Sequence, residues 1–147
     1  MNDEKIKVHV EIEDIKLRLD ATEGMLGEGV TKLETAINQR GLIYLDVRDV
    51  RALFKDCSSL KFEKMVMKNT EWNDACKVAA QGLLGQGNAL ILLEHGEGFS
   101  LTKYNEIMEC FFEASENHNG EGPMFLFSDH LVPANGGDCI AYVWIGQ

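Results

Sequence analysis

The sequence predicts an α/β sandwich (α+β): a mixed, mostly four-stranded sheet with two helices on one face, preceded by a long helix and an N-terminal strand. Three observations predict it. Ile6, Val8, Val10 and Ile12 alternate with Lys5, Lys7, His9, Glu11 and Glu13, the period of two of a half-buried strand. Leu26, Val30, Leu33 and Ile37 recur at intervals of 4, 3 and 4, a helical stripe. Ala89 to Leu93 is an unbroken apolar run of strand length, the pattern of a central strand covered on both faces. After the long helix the patterns run helix, strand, helix, strand, helix, strand, strand, an order that packs in layers around one core.

A length of 147 residues suits a domain with a substantial interior, and a hydrophobic content of 45% is ordinary for one. The net charge is −10, with 24 acidic against 14 basic residues. That balance argues against nucleic acid or an anionic membrane as partner, because phosphate binding needs clustered Lys and Arg. Cys57, Cys76, Cys110 and Cys139 are scattered, with no Cys-x-x-Cys to hold zinc or run redox chemistry. Cys76, Cys110 and Cys139 fall at apolar positions and read as buried thiols. With no signal peptide and no apolar run of membrane length, a reducing cytoplasm is the expected compartment.

Taken in order, residues 1–19 form an N-terminal β arm and residues 20–147 the main domain. The arm can add to the chain's own sheet, pair with another chain as edge strands do, or stay an exposed, charge-protected segment. Ile15, Leu17 and Leu19 are a hairpin return or a lead-in to the helix. Asp20-Ala-Thr-Glu23 has capping-box character and opens a helix over 20–40. Gly24, Gly27 and Gly29 weaken its first half, and those at 24 and 27 are candidates for close backbone approach. Val47, Val50 and Leu53-Phe54 mark a short second helix, and Leu60 to Met67 a strand. Thr70 caps a helix that buries Trp72, Ala75-Cys76, Ala79 and Leu83. Glu94 to Gly98 reads as a turn. A helix capped by Ser100 or Thr102 ends near His118. Met124 to Phe127 and Cys139 to Ile145 are the last strands, joined by a loop containing Pro133 and Gly137.

The stretch Arg40-Gly-Leu-Ile-Tyr-Leu-Asp-Val-Arg-Asp-Val-Arg51 joins two helical patterns. Gly41 is the usual left-handed stop, and Asp46 is a good N-cap for the second helix. Asp49 lies one turn along, so two carboxylates are presented from one rigid junction. The plain alternative is that Asp49 opposes the helix dipole and that Arg48 and Arg51 make surface ion pairs with Asp46, Asp49 or a partner's carboxylates.

These residues resemble the synergy loop of FtsZ, the bacterial tubulin homologue, which reads Gly-Leu-(Ile/Met)-Asn-(Val/Leu)-Asp-Phe-Ala-Asp-Val-(Arg/Lys). The likeness extends on both sides. Gly24 to Arg40 resembles the end of the family's central helix. Gly87-Asn-Ala-Leu-Ile-Leu-Leu-Glu-His-Gly-Glu-Gly-Phe-Ser-Leu101 resembles a strand and turn of its C-terminal domain, and Ile140 to Gly146 the last strand. No stretch resembles the phosphate loop of the GTP-binding half, so the chain looks like the back half of an FtsZ standing alone. The resemblance implies that Asp46 and Asp49 match the two acidic residues that enter the nucleotide site of the next subunit and position the attacking water. Gly41 matches the loop glycine. Tyr44 stands where the family has Asn, a departure that bears on the water-positioning geometry.

The resemblance therefore implies a non-catalytic module without cofactor or metal. Its partner would be an FtsZ-type GTPase or a separately encoded GTPase domain, met through Gly41, Tyr44, Asp46, Arg48, Asp49 and Arg51, with effects on polymerisation and cell division. A second reading is a self-associating structural domain, dimeric through the N-terminal strand. A third is a small enzyme or ligand-binder that reuses the fold. Its residues would be Glu94, His95, Asp129 and His130, though no spacing demands a metal there and solvated loops are the plain reading. Ser128-Asp129-His130 holds triad residue types, but sequence neighbours rarely converge as a triad.

Overall fold

The computed structural model describes residues 8–22, 24–38, 45–67, 87–97, 100–114, 124–136 and 138–147. Their elements are β1 (Val8–Ile12), β2 (Ile15–Ala21), α1 (Leu26–Asn38), α2 (Val47–Phe54), β3 (Ser59–Met67), β4 (Ala89–His95), α3 (Leu101–Ala114), β5 (Phe125–Leu131), a 3-10 turn (Pro133–Asn135) and β6 (Cys139–Gly146). The helix expected after Thr70, with Trp72 and Cys76, lies outside the described residues, as do Lys5 to Lys7, Glu23, Arg40 to Tyr44, Phe99, His118 and Gly137.

The strands form one six-stranded sheet in the order β1-β2-β3-β6-β4-β5. This corrects the expected four strands: the N-terminal alternation is a hairpin in register Val8↔Leu19 to Ile12↔Ile15, and it extends the sheet. β2 pairs parallel with β3, and β4 pairs parallel with β5. Parallel neighbours require a crossover, and helices supply both. β6 runs antiparallel between β3 and β4 and joins the two halves.

The two crossovers lie on opposite faces. α1 and α2 cover one, where Leu33, Ala36, Val50, Leu53 and Phe54 pack on Val10, Ile12, Leu17, Leu19, Leu60, Phe62, Leu90, Leu92, Tyr142 and Trp144. α3 covers the other, with Tyr104, Ile107 and Cys110 on Ala89, Ile91, Leu93, Phe125, Phe127, Ala141, Val143 and Ile145. Of the two helices expected on one face, α3 is described, and the long helix lies across the sheet from it. Cys110 and Cys139 are buried free thiols, while Cys76 is outside the described residues.

α1 begins at Leu26, not at Asp20. Asp20 and Ala21 continue β2, paired with Lys61 and Phe62 of β3, and Asp20 accepts from the Arg18 guanidinium at 3.1–3.2 Å. A strand ladder and an ion pair thus outcompete a local cap. The chain turns at Gly24, whose φ of 89° suits glycine, with Met25 N–H donating to the Thr22 carbonyl. Close approach belongs to a different glycine from those expected. Gly24 and Gly27 have open space where a Cβ would stand, whereas at Gly29 it would sit 3.0 Å from both Leu19 and Phe62. There α1 lies on the sheet, and Trp144 Nε1 donates to the Gly29 carbonyl at 3.1 Å.

Candidate functional site

The junction entering α2 is built by capping. Asp46 is extended (φ −86°, ψ 126°) and its carboxylate accepts from the Arg48 amide at 2.9 Å, so the N-cap role is observed. The Arg48 guanidinium folds back on the same carboxylate, with Nη2 2.7 Å from Oδ2. The Arg48 side chain and amide together hold the Asp46 carboxyl below the usual range. Arg51 reaches elsewhere. Its Nε and Nη2 take both oxygens of Asp14, at 2.6 and 3.1 Å, tying α2 to the β1–β2 turn and lowering the Asp14 carboxyl.

The two carboxylates of the junction thus differ. Asp46 is engaged by its own helix. Asp49 is exposed in the first turn, and among the described residues its side chain has no ion-pair partner. Its amide is held by the Asp46 carbonyl at 3.0 Å. Gly41 and Tyr44 lie outside the described residues. The buried side of α2 is Val50, Leu53 and Phe54, which sets Arg48, Asp49 and Ala52 outward.

The second set of candidates lies at the far ends of β4 and β5. The solvated-loop reading does not hold there. Glu94 and His95 close β4, Ser128 to His130 continue β5, and Glu94, His95, Ser128 and Asp129 are buried. Strand alternation sends neighbours to opposite faces. On the α1 face, Lys32 Nζ lies 2.9 and 2.8 Å from the two Glu94 oxygens, and His130 Nδ1 is 3.2 Å from Oε2. Burial pushes the Glu94 carboxyl up, but the Lys32 and His130 hydrogen bonds and the Lys32 charge outweigh it and hold it low. Lys32 also stands 5.1 Å from the Tyr142 ring centre, and Lys64, paired with Glu28 at 2.9 Å, stands 5.6 Å from it. Burial, then the charges of Glu94 and Glu28, push the Tyr142 hydroxyl well above its ordinary value.

On the α3 face, His95 Nε2 is 2.8 Å from Asp129 Oδ2. The buried Tyr104 hydroxyl has no hydrogen-bond partner, and burial and the Asp129 charge raise it strongly. Burial, then the charges of Glu94 and Asp129, push the Cys139 thiol up to about 12, far from a thiolate nucleophile. Ser128 faces α1 and donates to the Ala36 carbonyl at 2.9 Å, away from Asp129, so the Ser-Asp-His run is no triad. Among the described residues no group of three or more His, Cys, Asp and Glu could hold a metal. Sequence reasoning misses Lys32, Lys64 and Tyr142. Lys64, which interrupts the alternation of Leu60, Phe62 and Val66, is the available signal, whereas Lys32 reads with the polar side of the helix.

The order and pairing of these elements define a class, a mixed α/β fold of the kind found in FtsZ. Among solved structures, the chain is similar to the FtsZ W319Y mutant of M. jannaschii, with a TM-score of 0.64 and 17% identity over 82% of this chain and 37% of that one. It is similar to the empty FtsZ dimer of M. jannaschii with the same score and identity, covering 36% of that chain. The chain thus spans little more than a third of the length of these FtsZ chains. No family model matches the sequence, and no curated protein matches it. No helix among the described residues is long and apolar enough to cross a membrane.

Proposed function

We propose that this chain is a non-catalytic FtsZ-like interaction module acting in cell division. It binds the nucleotide face of an FtsZ-type GTPase, or of a separately encoded GTPase domain, through the stretch from Gly41 to Arg51. The observation that carries this reading is the exposed Asp49 in the first turn of α2, on a fold shared with FtsZ. Asp46 shapes the prong by capping the helix and holding Arg48, and Asp49 is the carboxylate presented to the partner. The Arg51–Asp14 pair braces the prong against the hairpin. Seated at one end of a protofilament, the module occupies the face that the next subunit would use. Growth from that end stops, while Asp49 is placed to orient water in the terminal nucleotide site.

Sedimentation of FtsZ polymers from the same cell, with GTP turnover read in parallel, tests this. Sub-stoichiometric chain is expected to lower pelleted FtsZ and Asp49→Ala to restore it. Unchanged polymer mass and unchanged GTP turnover would reject the reading.

A further inference from the structure

The outer edge of β1 carries a pattern suited to one particular partner. The β1–β2 turn has two residues, Glu13 and Asp14, between the paired Ile12 and Ile15. A turn that short closes on a pair exchanging both backbone bonds, and such pairs alternate along the ladder. Ile12, Val10 and Val8 therefore spend their N–H and C=O on β2. His9 and Glu11 turn theirs outward, at the edge of the sheet among the described residues. The side chains of His9 and Glu11 are exposed on one face, while Val10 and Ile12 are buried on the other beside Leu17 and Leu19.

We infer that β1 pairs antiparallel with β1 of a second copy of this chain, about a two-fold axis through Val10. The bonding phase and the faces restrict the axis to one passing through a residue of β1, and side-chain complementarity sets it at Val10. Only an axis through Val10 sets His9 opposite Glu11 of the second copy, each with its outward backbone groups free to exchange both bonds. The same axis sets a basic or hydrogen-bonding ring against a carboxylate twice, and Val8 against Ile12 on the apolar face. Axes through His9 or Glu11 share that phase but set each of those side chains against its own copy, whereas a slip of one strand by a single residue would put inward-bonded groups at the seam and throw the apolar set to the polar face. Edge strands that avoid pairing carry like charges or proline; this one carries complementary groups placed symmetrically about its centre. The interface is isologous, and the axis stands perpendicular to the sheet. The two α2 helices then lie on one side of a continuous sheet, each presenting its Asp49.

The inference deepens the self-association reading of the arm and does not depend on the docking of α2. Sedimentation equilibrium of the full chain alone, over a wide concentration range, is the test. A monomer–dimer equilibrium is expected. His9→Pro removes only an outward N–H and leaves the bonds to β2, so it is expected to give a monomer with an unchanged circular dichroism spectrum. Glu11→Lys and His9→Glu each set unfavourable groups across both symmetric pairs, and each is expected to weaken association about tenfold. Mixed together, these two variants restore the His9–Glu11 contact at one position and set a lysine against a glutamate at the other, and the mixed dimer is expected to return to wild-type strength. A wild-type monomer throughout, a dimer indifferent to His9→Pro, or failure of the mixture to recover would each overturn the inference. FtsZ is absent from this assay, so its outcome is separate from that of the docking test.

Discussion

Lys32 of α1 holds both carboxylate oxygens of Glu94, 2.9 and 2.8 Å away, although Glu94 is buried at the end of an inner strand. The contact joins residues 62 positions apart and fixes the helix on the sheet by charge as well as by packing. His130 adds a second donor, and Tyr142 lies beside both.

Removing the cation leaves a buried carboxylate short of its main partner. Lys32→Met is expected to lower stability by about 2–3 kcal/mol, and Glu94→Gln by about 1–2 kcal/mol because an amide is easier to bury. Urea unfolding at neutral pH measures both. Equal, near-zero effects would mean that the pair is a surface ion pair in behaviour.

The same pair sets an acid limb. The folded-state Glu94 carboxyl lies below its ordinary value of 4.5, so the pair's contribution is full above that value. It is lost as pH falls through the lowered folded-state value. The urea midpoint of the wild type is expected to fall with acid below about 4.5 more steeply than that of Glu94→Gln, so the two curves converge. Parallel curves would contradict the assignment.

Asp46 and Asp49 are expected to separate under mutation. Asp46→Ala removes a helix cap and is expected to cost about 1 kcal/mol of stability. Asp49→Ala, on an exposed position, is expected to stay within about 0.5 kcal/mol of wild type while abolishing any effect on FtsZ polymers. A thermal melt for each, set beside the sedimentation result, distinguishes a structural carboxylate from a presented one.

Gly29 is expected to reject even a methyl group. In an open helix Gly→Ala gains about 1 kcal/mol. Here the new Cβ would lie 3.0 Å from Leu19 and Phe62, under the Trp144 contact, and overpacking of this kind costs about 1–3 kcal/mol. Gly29→Ala should therefore lower the melting temperature, whereas Gly27→Ala, with open space at that position, should raise it.

Glu13 is strained where glycine would not be. Its φ is 54°, positive at the first of the two turn residues, the pattern of a type II′ hairpin turn. Glu13→Gly is expected to stabilise the chain by up to about 1 kcal/mol, read from the urea midpoint.

How much is legible without a structure divides by range of interaction. The alternation of residues 8 to 12, the run at Ala89–Leu93, the stripe through Leu33 and the cap at Asp46 are local patterns, and each is found in place. The start of α1 is not legible, because Asp20 meets a parallel strand that lies 41 positions away at Lys61. The ends of β4 and β5 read as turns and are strands. Glu94, His95 and Asp129 are polar, and polarity marks a loop unless a distant partner is waiting in the interior.

The chain's own order of residues was enough to place the cores of the described helices and strands, though not the start of α1 or the ends of β4 and β5, to show that their apolar faces need covering, and to show that two carboxylates flank the start of α2. Periodicity and capping are properties of neighbours along the chain, so they can be read without a structure. Only the tertiary structure decided that the hairpin joins the sheet, that α1 and α3 take opposite faces, that Asp46 is engaged while Asp49 is exposed, and that Glu94 and His95 part company. Those outcomes rest on ladder pairing and buried charge compensation between residues far apart in sequence, and such energies exist only once the strands have been brought side by side.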